Sequence, residues 1–176
     1  SVQMAAVGEL SFNPAGSTVK VFRIGSGGGD QTQTLTLLQG WNLVSFANQP
    51  VNPLVDAILD ASVRSGPVWA YDPVTGYTAA STVVAKRGYW VYAVANAALD
   101  IKGQTVSGNI TLNQGWNLVG FTADHNLPNP LPAGVVVVYG YNTATDAYET
   151  VSAGGAVMTG KGYWIYSTAP ATIPAQ

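Results

Sequence analysis

The sequence predicts an all-β protein of two pseudo-repeated antiparallel modules, sandwich- or barrel-like, with one short helix near residues 53–64. Three observations carry this prediction. An eight-residue phrase occurs twice, QGWNLVSF at 39–46 and QGWNLVGF at 114–121. Strand-length runs alternate apolar residues with Thr, Gln and Ser, a period of two. Helical patterning is confined to a single segment.

Residues 1–30 stand outside the duplication. Val2, Met4, Ala6, Leu10 and Phe12 hold even positions, and Ser1, Gln3, Glu9 and Ser11 hold odd ones. That pattern is a strand with one apolar face, and residues 18–24 form a second strand. The glycine-rich stretch 25–29 reads as a flexible linker. GSGGGD superficially suggests a phosphate loop, but it lacks the lysine and the following helix. An amphipathic strand needs a sheet to join, its own or a neighbour's. Val2, Met4, Leu10 and Phe12 are the candidate interface residues of a donor strand.

The first module spans 31–103. LTLLQGWNLVSF reads as strand, tight turn and strand, with Gly40 supplying a positive-φ option at the turn. NPLVDAILDASVRSG reads as the helix. Asn52 can cap it, Pro53 suits the first position and Gly66 can stop it. Leu54, Val55, Ile58 and Leu59 make its apolar face, and Asp60 with Arg64 makes an i,i+4 pair. A short strand over 68–71 precedes the turn DPVTG, Tyr77 begins the returning strand, and residues 88–93 form the last.

The second module spans 104–176 and repeats this order. ITLNQGWNLVGF is followed by VVYGYNTATDAYET, and KRGYWVYA at 86–93 is matched by GKGYWIYS at 160–167. In place of the helix stands NLPNPLPAG, whose three prolines exclude a regular helix. Trp41 is expected to superpose on Trp116, and Tyr89-Trp90 on Tyr163-Trp164. Trp41 and Trp116 are expected to be largely buried, with truncation to Ala costing ~3–5 kcal/mol.

The order GWNL, aromatic turn, GYW resembles a repeat of secreted and cell-surface proteins of bacteria and archaea. The resemblance covers about residues 31–170. It implies an extracellular β-module and no particular reaction. The DPVTG form is intact only in the first copy; the second has NTATD, so the resemblance assigns the turn no common ligand role.

Composition narrows the function. Charged residues make up 9% of the chain and the formal charge is -2, so no basic surface exists to meet phosphates and no nucleic-acid partner is expected. There is no cysteine, which excludes disulfides and thiolate chemistry. No apolar run approaches the ~20 residues a spanning helix needs. The chain begins at Ser1, read here as a mature protein after removal of a signal peptide. Low charge with abundant Thr, Asn, Gly, Val and Tyr fits a secreted or cell-surface location.

No catalytic constellation emerges, and no enzymatic activity or cofactor is expected. His125 is the single histidine and is read as a solvated loop residue. Asp72 and Asp146 could contribute to calcium sites, but turn formation explains both, so no metal site is assigned. Asn109-Ile110-Thr111 is a glycosylation sequon. The aromatic residues are the richest signal. Trp69 and Tyr71 share one strand face, as do Tyr139 and Tyr141, whereas Tyr89 and Trp90 point oppositely, as do Tyr163 and Trp164. Such rings are read first as a core and second as a sugar-stacking platform. The function expected from the whole is an extracellular structural protein that self-assembles, most simply into a pilus-like filament by β-strand addition. The alternative is a carbohydrate-binding or adhesion module, with Trp69, Tyr71, Tyr139 and Tyr141 as ligand residues and surface polysaccharide as partner.

Overall fold

Alternation sets the first strand, β1 (Asp30–Leu37). Gln33, Leu35 and Leu37 turn inward and Thr32, Thr34 and Thr36 outward, as a pleat with one buried face requires. The computed structural model describes residues 30–176. The N-terminal strands, the stretch 25–29 and the donor residues Val2, Met4, Leu10 and Phe12 lie outside the described residues.

The first repeat continues through β2 (Gly40–Ser45), β3 (Asn48–Pro50), α1 (Val55–Ile58), β4 (Trp69–Asp72), β5 (Gly76–Ala79), β6 (Gly88–Ala93) and β7 (Ala97–Thr105). The second comprises β8 (Ile110–Leu112), β9 (Gly115–Gly120), β10 (His125–Asn126), β11 (Val135–Asn142), β12 (Ala147–Thr150), β13 (Ala156–Val157), β14 (Gly162–Ser167) and β15 (Ala171–Ile173). Both repeats build the same four-stranded antiparallel sheet, β2-β6-β4-β5 and β9-β14-β11-β12. Their registers agree: Trp41 faces Tyr92 and Leu43 faces Trp90, while Trp116 faces Tyr166 and Leu118 faces Trp164. A second layer packs on each, β1-β7-β3 in the first repeat and the pairs β8-β15 and β10-β13 in the second. The fold is all-β and sandwich-like, with no closed barrel among the described residues.

The strand–turn–strand phrases are corners rather than hairpins. β1 pairs with β7 and β2 with β6, so the chain changes layer at Leu38–Gln39. A glycine makes the corner possible, with φ of 105° at Gly40 and 98° at Gly115. The asparagine of the motif then clamps it. Asn42 Nδ2 donates to the carbonyls of Leu38 at 2.7 Å and Gly40 at 2.9 Å, and its Oδ1 accepts from the Leu38 amide at 3.0 Å. Asn117 does the same for Asn113 and Gly115. Both side chains are buried, and each replaces ladder bonds that a corner cannot make.

The helix is shorter than its pattern predicts. Only Val55–Ile58 is helical, and Leu54 is exposed rather than part of an apolar face. Tertiary pairing takes the flanks: the Val55 amide donates to Ser81, the Val83 amide to Pro53, and the Ser65 amide to Tyr92. The Asp60 carboxylate is occupied by the Ser62 amide and hydroxyl. Arg64 therefore forms its ion pair with Asp56, not Asp60.

Each repeat has its own core. In the first, Leu35, Phe46, Leu59, Tyr89 and Val91 interlock; in the second, Leu112, Phe121, Tyr163, Ile165 and Ile173 do so. The tyrosines match in detail. The Tyr89 hydroxyl accepts from the Val84 amide and that of Tyr163 from the Met158 amide, both at 2.8 Å. A third cluster, Leu43, Leu118 and Trp164, joins the repeats. The joining contacts are reciprocal, as a two-fold relation demands. Val44 bridges Lys161 as Val119 bridges Arg87, and the Ser45 amide bonds Gly160 as the Gly120 amide bonds Lys86.

Candidate functional site: twin aromatic clefts and an open sheet edge

Strand parity divides each motif between two faces. Val44, Phe46, Tyr89 and Val91 enter their own core. Trp41, Leu43, Trp69, Tyr71 and Trp90 alternate with these core-facing residues and lie on the opposite face. The second repeat places Trp116, Leu118, Tyr139, Tyr141 and Trp164 likewise. The two outer faces meet over Leu43, Leu118 and Trp164, and the rings beyond that contact remain open to solvent.

Two clefts result. One, of about 580 Å³, is lined by Tyr71, Tyr77, Trp116, Tyr139, Tyr148 and Trp164. The other, of about 530 Å³, is lined by Trp41, Trp69, Tyr77, Trp90, Tyr141 and Tyr148. Exchanging the repeats converts the first set into the second. Tyr77 and Tyr148 belong to both, so the clefts adjoin. Neither is lined by a charged side chain.

The expected ligand residues are thus redistributed. Trp69 and Tyr71 share a strand face but line different clefts; Tyr71 is grouped with Tyr139, and Trp69 with Tyr141. The core reading of the rings is correct for Tyr89 and Tyr163 only in part of the set; Trp164 is buried between repeats, and the others are half-buried or exposed. Trp41 and Trp116 correct their expectation outright, being 41% and 37% exposed. Their parity with Leu43 and Leu118 sends them away from their own cores, and each lines an open cleft shared with the opposite repeat rather than a closed contact with it. The large truncation cost expected for a buried ring therefore does not apply to them. Sequence reasoning missed Trp41, Trp116, Tyr77 and Tyr148 as cleft residues. The available signal was parity, hidden because Leu43 and Val44 are both apolar.

Edge-to-face contacts fix the walls. Tyr71 meets Trp164 at 4.7 Å and 77°, and Tyr141 meets Trp90 at 4.7 Å and 78°, the geometry favoured by ring quadrupoles. Trp116 and Tyr139 lie nearly parallel, 29° apart with centroids at 6.1 Å. Burial, then the hydrogen bond to Asp146 and its charge, push the Tyr141 phenol up to about 12. Burial chiefly raises Tyr77 as well, and the neighbouring Tyr148 adds to it. Both hydroxyls therefore stay neutral at physiological pH. The indole N–H of Trp164 is buried with no hydrogen-bond partner among the described residues.

The second feature is β1. It is an edge strand, paired to β7 alone among the described residues. Over Thr32–Leu37 its register is unbroken and it contains no Lys, Arg or Pro.

The remaining candidates have structural roles. The Asp72 carboxylate accepts from the Val74 and Thr75 amides at 2.9 and 3.1 Å, which closes the turn. Asp146 accepts from the Tyr141 hydroxyl. No group of three or more metal-ligating side chains occurs among the described residues. His125 is not a solvated loop residue: it lies in β10, half-buried, with Nδ1 at 2.9 Å from the Ala123 carbonyl and its ring edge-on to Phe121. Asp124 is occupied by the Thr159 amide and hydroxyl. Asn109 of the sequon is exposed. No helix among the described residues is long and apolar enough to cross a membrane. Compared with protein-family models, curated proteins and solved structures, the chain gives no match.

Proposed function

We propose that this protein is an extracellular structural subunit, without enzymatic activity, that self-assembles into a filament by β-strand addition. The observation that carries the reading is the edge of β1. Sheet edges are ordinarily blunted by lysine, proline, bulges or short length, because unpaired N–H and C=O groups recruit other strands. Over Thr32–Leu37 none of these devices is present. The equivalent strand of the second repeat, β8, is only three residues long. An added strand would extend the sheet β1-β7-β3. Residues 1–12, with Val2, Met4, Leu10 and Phe12 on one face, have the alternation such a strand needs, and glycines at 25–29 provide reach to a neighbouring subunit. The low charge of the chain limits repulsion between packed copies. The resemblance of the GWNL…GYW repeats to those of surface proteins supports the extracellular location.

Electron microscopy of the whole chain, beside a chain lacking residues 1–12 and a T32K/T36K variant, tests this. The whole chain should form filaments. The other two should melt as the parent's folded core does yet remain single particles, and a peptide of residues 1–12 should bind the truncated chain. Normal filaments from the truncated chain would refute strand addition.

A further inference from the structure

We infer that the twin clefts bind a neutral polysaccharide, with one sugar chain running across both. The inference is independent of assembly, since it uses neither β1 nor residues 1–12. It starts from the lining. Every side chain in both walls is Trp or Tyr, and none is charged, so no side chain is offered to pair with an anion. Two wide adjoining clefts suit a polymer rather than the single small cation that an aromatic cage encloses. The occupant must present flat C–H faces to rings and hydroxyls to phenols, which is the chemistry of a pyranose. A peptide strand would pair along the main chain of the sheet edges β5 and β12, whereas the clefts offer ring faces that stand out from the sheets. A purely apolar chain would leave the Tyr77 and Tyr148 hydroxyls unused.

The size fits as well. Ligand sites commonly enclose roughly 300–1,000 Å³, and each cleft falls in that range at about 580 and 530 Å³. They adjoin at Tyr77 and Tyr148, and the two-fold relation presents the same ring set to each half of a polymer. Trp116 with Tyr139, 29° from parallel, is the flattest surface and the main stacking platform. Trp41 holds the equivalent place in the second cleft. The Trp164 indole N–H supplies a further pointer. It is buried in the first wall with no hydrogen-bond partner among the described residues. Tyr77, whose ring lies 6.2 Å from Trp164, is exposed. Turning it aside would let a sugar hydroxyl accept that bond and satisfy a buried donor that otherwise has no partner.

Tryptophan-fluorescence titration of the full chain with cellohexaose, chitohexaose and dextran tests the inference. A β-linked hexasaccharide should quench saturably. Its disaccharide should bind at least about tenfold more weakly, because it occupies one cleft and forgoes the second. W116A should weaken hexasaccharide binding by about tenfold, the size of a lost ring contact plus its buried area, and W116F should restore part of it. Near-ultraviolet circular dichroism should show W116A folded, since this ring lies outside both cores. Absence of saturable binding by all three sugars overturns the proposal. So does a W116A/W41A double variant that is folded and binds as the parent does. Equal affinity for disaccharide and hexasaccharide overturns the single chain across both clefts.

Discussion

The two copies of the octet differ at one letter, Ser45 against Gly120, and that difference has a steric cause. These residues meet where the repeats join. A Cβ built on Gly120 would lie 2.0 Å from the Cβ of Ser45, so the junction holds one side chain and not two. Ser45 uses its place, its Oγ donating to the Lys161 carbonyl at 2.7 Å. The neighbouring positions are reciprocal. A Cβ at Gly88 would press on Leu118 at 2.8 Å, and one at Gly162 on Leu43 at 2.9 Å. Gly120→Ser should therefore destabilise the protein by about 1–3 kcal/mol, the usual cost of overpacking. Adding Ser45→Gly should return most of that loss, because the two-fold relation offers a serine at 120 the matching carbonyl of Arg87. Urea denaturation of the single and double variants measures the coupling. Strictly additive losses would count against the shared-space explanation.

At the scale of elements, the corner between β1 and β2 shows what the GWNL motif does. Glycine supplies the positive φ and asparagine satisfies the backbone that leaves the ladder. Asn42→Ala should cost roughly 1–3 kcal/mol, since it removes a buried side chain that satisfies the partly buried Leu38 and Gly40 backbone groups. Asn117→Ala should cost as much, and thermal melting checks both. A substitution at Asn52, which bonds only the exposed Leu54 amide, is the contrast and should stay within about 0.5 kcal/mol. The contracted helix makes the complementary point. Its sequence satisfies every local helix rule, yet pairing of 53–55 with 81–83, and of 63–65 with 92–94, captures the flanking backbone. Propensity loses to tertiary hydrogen bonds here because a four-residue helix has little cooperative strength of its own.

For the whole molecule, buried phenols set the response to alkali. Burial raises Tyr89 and Tyr163 above their ordinary value of 10.0, opposed by hydrogen bonds from Val84 and Met158, and Tyr77 and Tyr141 are raised too. The folded state thus holds these protons more tightly than the unfolded chain. Their contribution is fully present below pH 10.0 and is lost as pH rises through the folded values. Asp60, Asp72 and Asp124 work in the other direction. Turn hydrogen bonds, from Ser62, Thr75 and Thr159 respectively, hold them below 3.8. Their contribution is present above that pH and lost as pH falls through the lowered values. Stability should therefore be flat between about pH 5 and pH 9 and fall on both sides. A Y89F/Y163F variant should be weaker near neutrality, having left two amides unpaired, but should show a shallower alkaline decline. Urea midpoints near pH 7 and near pH 11 separate the two effects. An alkaline decline as steep as the parent's would show that these phenols do not govern it.

Much of this was legible in the chain itself. Repeated phrases, two-residue alternation and turn glycines were sufficient for the all-β class, the duplication, and the opposite facing of Tyr89 and Trp90, because each is a consequence of local backbone geometry. The sequence also marked Trp69, Tyr71, Tyr139 and Tyr141 as ring pairs on shared strand faces. What it left open was which face meets what. Leu43 and Val44 are equally apolar, so parity alone could not show that one joins the repeats and the other fills a core. Nor could it place Trp41 and Trp116 in solvent, divide Trp69 from Tyr71 between clefts, or pair Arg64 with Asp56. Those outcomes depend on two outer sheet faces meeting around a two-fold relation, and burial there is a property of the pair of repeats that neither copy's sequence carries alone.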